Sequence, residues 1–305
     1  MVMTSSDIKL EMSERRLGGA GVDFRIVELS EFGDETVWPG LASTLPHIVH
    51  AKIDAGMTIP AAAHSSWYST YVLAGSGTVD GHTLKAGDVI ISPPWAEAGE
   101  FVSGPDGYEE FTLFNDGPGV YPHLTSAPAD SETLQRLFGI FEPDVIAFTS
   151  TIEAPTGERE FYLDNDKNRF NTPFYSSKLW ESGPMGWIDS DKIGPAHPDI
   201  VASSNPFLSQ TVIPGGEDMP KWPDHRHEGW TFLYILDGYY QESTMRLDAG
   251  QMWITAPSHV FDARLRPGPD GVSEIAVFGD GPSVTPIILS DSSPDTATFA
   301  QSLQL

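Results

Sequence analysis

Tyr71-Val-Leu-Ala-Gly75 and Tyr234-Ile-Leu-Asp-Gly238 are one phrase written twice, and the alignment they start holds for roughly fifty residues. Ala86-Gly87 falls on Ala249-Gly250, and Pro94 on Pro257. Gly104-Pro-Asp-Gly107 falls on Gly268-Pro-Asp-Gly271, and Phe114-Asn-Asp-Gly-Pro118 on Phe278-Gly-Asp-Gly-Pro282. The offset begins at 163 and ends at 164, so one inserted residue separates the copies. A period of this length is too long for a solenoid and suits two similar domains, as does a chain of 305 residues. The duplication is also an internal control: a polar residue present in one copy and missing from the other is not required by the shared fold.

Outward from these phrases the chain alternates and turns. Ile48-Val-His-Ala-Lys-Ile53, Tyr68–Leu73, Val89-Ile90-Ile91 and Glu110–Phe114 are short runs bounded by Gly, Pro, Asp or Asn. That pattern predicts an all-β barrel or sandwich. Asp130-Ser-Glu-Thr-Leu-Gln-Arg-Leu-Phe-Gly139 predicts one helix, with a polar N-cap and Leu134 and Leu137 at helical spacing. We place the domain boundary at its start. Residues 1–130 form a first barrel whose residues 1–22 are a loose arm; residues 131–305 hold a connector and the second barrel. Asp164-Asn-Asp166-Lys-Asn168 imitates a calcium loop, but Arg169 replaces the required Gly and Tyr175 the bidentate Glu, so it reads as a polar turn.

Composition narrows the partners. Forty-three acidic against 17 basic residues give a net charge of −26, which repels nucleic acid and anionic membrane surfaces. The chain has no cysteine, which removes thiol nucleophiles, disulfides and Cys-type metal sites. Met1–Leu17 lacks the apolar core of a signal peptide, and no run approaches the roughly 18 apolar residues of a membrane span. The expectation is a cytoplasmic protein acting on a small molecule.

Asp224-His225-Arg226-His227 precedes the predicted strand Thr231–Leu236. The period of two turns His225 and His227 to one face, where two imidazoles suit a transition metal. Trp222, Trp230, Phe232, Trp253 and Phe261 would keep such a site dry.

His-x-His before Tyr-Ile-Leu-x-Gly, then Ala-Gly-x-x-x-Ile-x-x-Pro, resembles the two motifs of the cupin superfamily. The first half carries the same skeleton in Gly56, His64, Tyr71–Gly75, Ala86-Gly87-Asp88 and Pro93-Pro94. The whole resembles a bicupin, and the resemblance implies tandem double-stranded β-helix (jelly-roll) barrels. Cupins usually place a Glu about four residues after the second His, where this chain has Thr231, or Tyr68 in the first half. The second motif usually ends in a His a few residues past its Pro; here His259 comes early and Asp262 stands five past Pro257. The resemblance therefore leaves two ligand sets open, His225, His227 and His259, or the pair with Asp262.

In the first half Ala62 takes the place of His225, and Ala98 and Gly99 occupy the late positions. His64 alone is not a metal site, which makes the first barrel a structural or dimerising copy. By family analogy the preferred function is a mononuclear Fe(II) dioxygenase acting on a small enolisable or phenolic carbonyl compound. Zn, Mn or Ni are other candidate ions, and Trp222, Thr231, Tyr239, Trp253 and Phe261 the candidate pocket. The alternatives are a non-oxidative metal-dependent isomerase or lyase, and a non-catalytic small-molecule-binding bicupin. The missing Glu argues against an oxalate-decarboxylase-like role, and a homodimer is expected.

Overall fold

The computed structural model describes residues 16–17, 22–28, 47–125, 152–163, 176–181, 187–189, 202–204, 206–215, 224–229, 231–242, 245–255, 257, 259–261 and 266–289. Nearly all of them lie in strands or the turns between, and they fall into two compact units. The predicted helix 130–139 and the polar turn 164–168 lie outside the described residues.

Each half is a double-stranded β-helix. In the first, the main sheet runs Arg16–Leu17, Val22–Glu28, His47–Ile53, Phe101–Phe114, Tyr68–Val79, Val89–Ser92, Glu160–Tyr162. A smaller sheet joins Ala62–Ala63 to His123–Leu124, with Ala98 bridging to Ala62. In the second, the main sheet runs Trp187–Asp189, Ser176–Glu181, Phe207–Ile213, Arg266–Phe278, Thr231–Glu242, Met245–Asp248, with Met252–Thr255 also on Thr231–Glu242. Its smaller sheet sets His225–Arg226 between Val260–Phe261 and Ile287–Ile288. Tyr68–Val79 and Thr231–Glu242 correspond residue for residue, as do the smaller sheets.

The repeated glycines explain themselves at one contact. Both 12-residue strands slip register, between Val72 and Ala74 and between Ile235 and Asp237. Gly75 and Gly238 follow each bulge at φ of +71° and +74°. A Cβ on either would run into the carbonyl of Gly107 or Gly271, the last residue of each Gly-Pro-Asp-Gly turn. The two repeated phrases are therefore the two sides of one backbone crossing, which only glycine permits. A second crossing is solved differently in each half. Ser66 packs against Gly119 in the first, whereas Gly229 packs against Ser283 in the second, so the hydroxyl has changed sides.

Two expectations are corrected. Residues 1–22 are not all a loose arm, because Arg16–Leu17 pairs with Phe24–Arg25 and Val22–Glu28 covers the edge of His47–Ile53. That edge would otherwise leave open backbone groups. The division also lies beyond residue 130: Glu160–Tyr162 pairs with Val89–Ile91 of the first barrel, whereas Ser176–Glu181 pairs with Phe207–Ile213 of the second. Among the described residues the helical segments are two single turns, Pro118–Val120 and Gly281–Val284.

Candidate functional site

His225 occupies the middle strand of the smaller C-terminal sheet, directly opposite Phe261 on one side and Ile288 on the other. It is 6% exposed, and its ring stacks on Phe261 at 5.2 Å and 11°. His227 stands just past that strand, its ring 5.7 Å from that of His225 and nearly perpendicular to it at 85°. Its Nδ1 lies 2.6 Å from the Ser283 carbonyl. A carbonyl can only accept, so Nδ1 carries the proton and Nε2 keeps its lone pair. Ser283 is fixed in turn: its N–H donates to the Asp280 carboxylate, which caps Gly281–Val284, at 2.9 Å. Burial, and then the neighbouring His225, hold the His227 pKa down to about 3 against the Ser283 carbonyl, which favours the charged form. The imidazole is neutral throughout the physiological range.

The third ligand expected from sequence does not join the pair. His259 lies against Trp253 at 5.5 Å and Phe261 at 5.2 Å. Phe261 is the hub: its ring is 5.2 Å from His225, 5.8 Å from His227 and 5.1 Å from Trp253. Phe261 thus packs on all three imidazoles. Among the described residues no group of three or more His, Cys, Asp or Glu side chains could hold a metal. Asp262 lies outside the described residues, and so does Trp222.

Of the remaining pocket candidates, Thr231 and Trp253 belong to this end of the barrel. Thr231 is 2% exposed and opposite Phe278, whose ring is 5.2 Å from His227. The Thr231 Oγ1 and Trp253 Nε1 are buried with no hydrogen-bond partner among the described residues. Tyr239 is corrected: it pairs with Asp248 at the hairpin end, under the Arg246 guanidinium at 3.6 Å. Eight residues of strand separate it from Thr231, about 26 Å at roughly 3.3 Å per residue.

The first barrel repeats the histidine anchor without the partner. His64 has its Nδ1 2.7 Å from the Gly119 carbonyl, and Gly119 corresponds to Ser283. Burial holds its pKa down at about 4. Tyr68 and Phe114 pack on its ring at 5.0 and 5.2 Å.

Sequence reasoning missed a pair of inward-facing acids, one buried and one half-buried. Along Phe101–Phe114, alternate residues from Tyr108 to Phe114 face the interior, and Glu110 is among them. Glu274 is its counterpart, 6% exposed, with Oε2 unpartnered among the described residues. Burial raises the Glu274 pKa to about 7, partly offset by the Tyr240 hydroxyl; burial likewise raises that of Glu110. The signal was available: an acid recurring at the same repeat position, on the inward parity of an otherwise apolar strand.

No protein-family model matches this chain, and no curated protein sequence does. Solved structures do. One of Bacillus subtilis oxalate decarboxylase, used to assign the EPR parameters of its Mn(II) centres, matches with a TM-score of 0.54 and 14% identity, over 98% of this chain and 84% of that one. Another, of the same enzyme at pH 4.6, gives a TM-score of 0.52 and 13% identity over 99% and 82%. The likeness is one of fold, and it is the bicupin fold that the duplicated motifs lead one to expect.

Proposed function

We propose that this protein is a divalent-metal-dependent enzyme of the non-oxidative kind, a lyase or isomerase acting on a small carbonyl compound, with His225 and His227 as ion ligands. The observation that carries the reading is the neutral, carbonyl-anchored His227 beside a buried His225, at a repeat position where the other barrel has Ala62. A bound ion would supply Lewis acidity toward the substrate oxygen. The chain's own residues set the conditions for it. Ser283, held by Asp280, fixes the tautomer of His227. Phe261 and Trp253, 4% and 1% exposed, exclude water. Glu274, with its pKa near 7, can hold or release a proton close to neutral pH.

What supports the non-oxidative branch over the Fe(II) dioxygenase is the fold's likeness to a decarboxylase with Mn(II) centres, which makes Mn(II) the first ion to test. Oxalate itself is not the proposed substrate, because Thr231 and Tyr68 stand where the Glu ligand is needed. Elemental analysis of the purified chain and of His225→Ala, with turnover assayed under strict anaerobiosis, tests the reading. Metal in the wild type, lost in the variant, with turnover undiminished without oxygen is the expected result. Oxygen-dependent turnover would return the dioxygenase.

A non-catalytic, small-molecule-binding bicupin is the second reading. It is favoured by the packing of Phe261 on all three imidazoles and by the absence, among the described residues, of any group of three or more His, Cys, Asp or Glu side chains that could hold a metal. Negligible metal in both proteins selects it.

A further inference from the structure

We propose that the N-terminal barrel is a binding site for a neutral one-ring alcohol or phenol, held in a cavity opened where Ala62, Ile90 and Ala98 replace the His225, Trp253 and Phe261 of the other copy. The cavity measures about 170 Å³, and all three small residues line it. In the C-terminal barrel the equivalent residues pack ring on ring, His225 on Phe261 at 5.2 Å and Trp253 on Phe261 at 5.1 Å. The shared fold therefore tolerates a filled interior, and the first barrel has given it up. A cavity of about 150 Å³ takes a benzene molecule, so this one takes a single substituted ring. The proposal is independent of any metal in the second barrel.

The polar groups on the wall define the substituent. Ile53, Leu84, Phe101 and Phe114 provide apolar surface for a ring. Among them sit His64, Tyr68, Glu110 and Arg159. With its Nδ1–H committed to Gly119, the other ring nitrogen of His64 can only accept a hydrogen bond. Arg159 is 8% exposed, and its Nε–H is buried with no partner among the described residues. One group that both donates and accepts can satisfy an imidazole nitrogen and a guanidinium N–H together, and a hydroxyl does this where a carbonyl cannot. Leaving such a buried group without its bond is costly, which gives the hydroxyl its selectivity of at least tenfold over an unsubstituted ring.

Charge balance excludes ions. The Arg159 guanidinium is already paired with the Asp80 carboxylate through its NH1. A carboxylate ligand would find no unmatched cation on the wall, and Glu110, whose carboxyl burial pushes toward the neutral form, offers a cationic ligand no fixed charge. Arg159 reaches the cavity because Glu160–Tyr162 adds to the strand Val89–Ser92, an addition that the equivalent C-terminal strand, Met252–Thr255, does not show among the described residues.

Titration of the full chain with 4-fluorophenol, fluorobenzene and 4-fluorobenzoate, followed by ¹⁹F NMR, tests the proposal. Saturable binding of 4-fluorophenol, at least tenfold tighter than that of either other probe, is expected. Ala98→Phe, which installs the residue of the other copy, should weaken it at least tenfold. His64→Phe should reduce 4-fluorophenol to the level of fluorobenzene. Ile90→Trp is read in place of Ala98→Phe if that variant does not fold. Absence of saturable binding, equal affinity in the filled variant, or tighter binding of the benzoate overturns the proposal.

Discussion

Replacing Glu274 by glutamine should change how the stability of the protein depends on pH, and the structure fixes both direction and size. The carboxyl is 6% exposed with its pKa raised from 4.5 to about 7 by burial. Its folded pKa lies above the unfolded one, so its contribution to stability is fully present below pH 4.5 and is lost as pH rises through 7. One pKa unit is worth about 1.36 kcal/mol, so the wild type should lose about 3 kcal/mol from this group between pH 4 and pH 8. Glutamine keeps the shape and does not titrate. Urea unfolding of both proteins at several pH values gives the difference, in which shared terms such as the repulsion of a −26 chain cancel. The variant should gain on the wild type by about 3 kcal/mol across that range. Parallel curves would refute the burial of an uncompensated carboxyl in the second barrel.

His227→Phe should flatten the acid limb of the same profile. Its folded pKa of about 3 lies below the usual 6.5, so that stability is present above pH 6.5 and lost as pH falls toward 3, by no more than about 5 kcal/mol. Gly238→Ala and Gly250→Ala both place a side chain at positive φ, +74° and +79°, but only Gly238 faces a wall, the Gly271 carbonyl. Chemical denaturation should show a loss of about 1 kcal/mol at Gly250 and at least twice that at Gly238. Phe261→Ala should cost about 3–5 kcal/mol and open in the C-terminal barrel a cavity like that of the first, detectable as new binding of fluorobenzene.

The fold was legible because it is written in local and periodic signals. Tyr71–Gly75 and Tyr234–Gly238, with their Gly-Pro-Asp-Gly partners, fix strand, bulge and turn through glycines that no other residue can replace. The strands that precede each repeat were not legible, since whether Val22–Glu28 or Ser176–Glu181 pairs with a barrel depends on an edge offered from elsewhere along the chain.

For the site, spacing alone put His225 and His227 on a short segment and singled out Ala62 as the loss in the first half. Spacing could not say what fills the space between rings. His259 was a reasonable third ligand by position, yet it packs against Trp253 and Phe261, and among the described residues it completes no three-residue metal-binding group. The same closure decides what happens in the first barrel, where Ala98 and Ile90 leave a cavity that Arg159 enters from beside a strand about 60–70 residues later in the chain. Sequence determined which residues recur and which backbone turns they allow, because those are properties of neighbours along the chain. Only the tertiary structure decided which barrel is hollow and which is filled, because interior volume is set by side chains that meet from strands far apart in sequence.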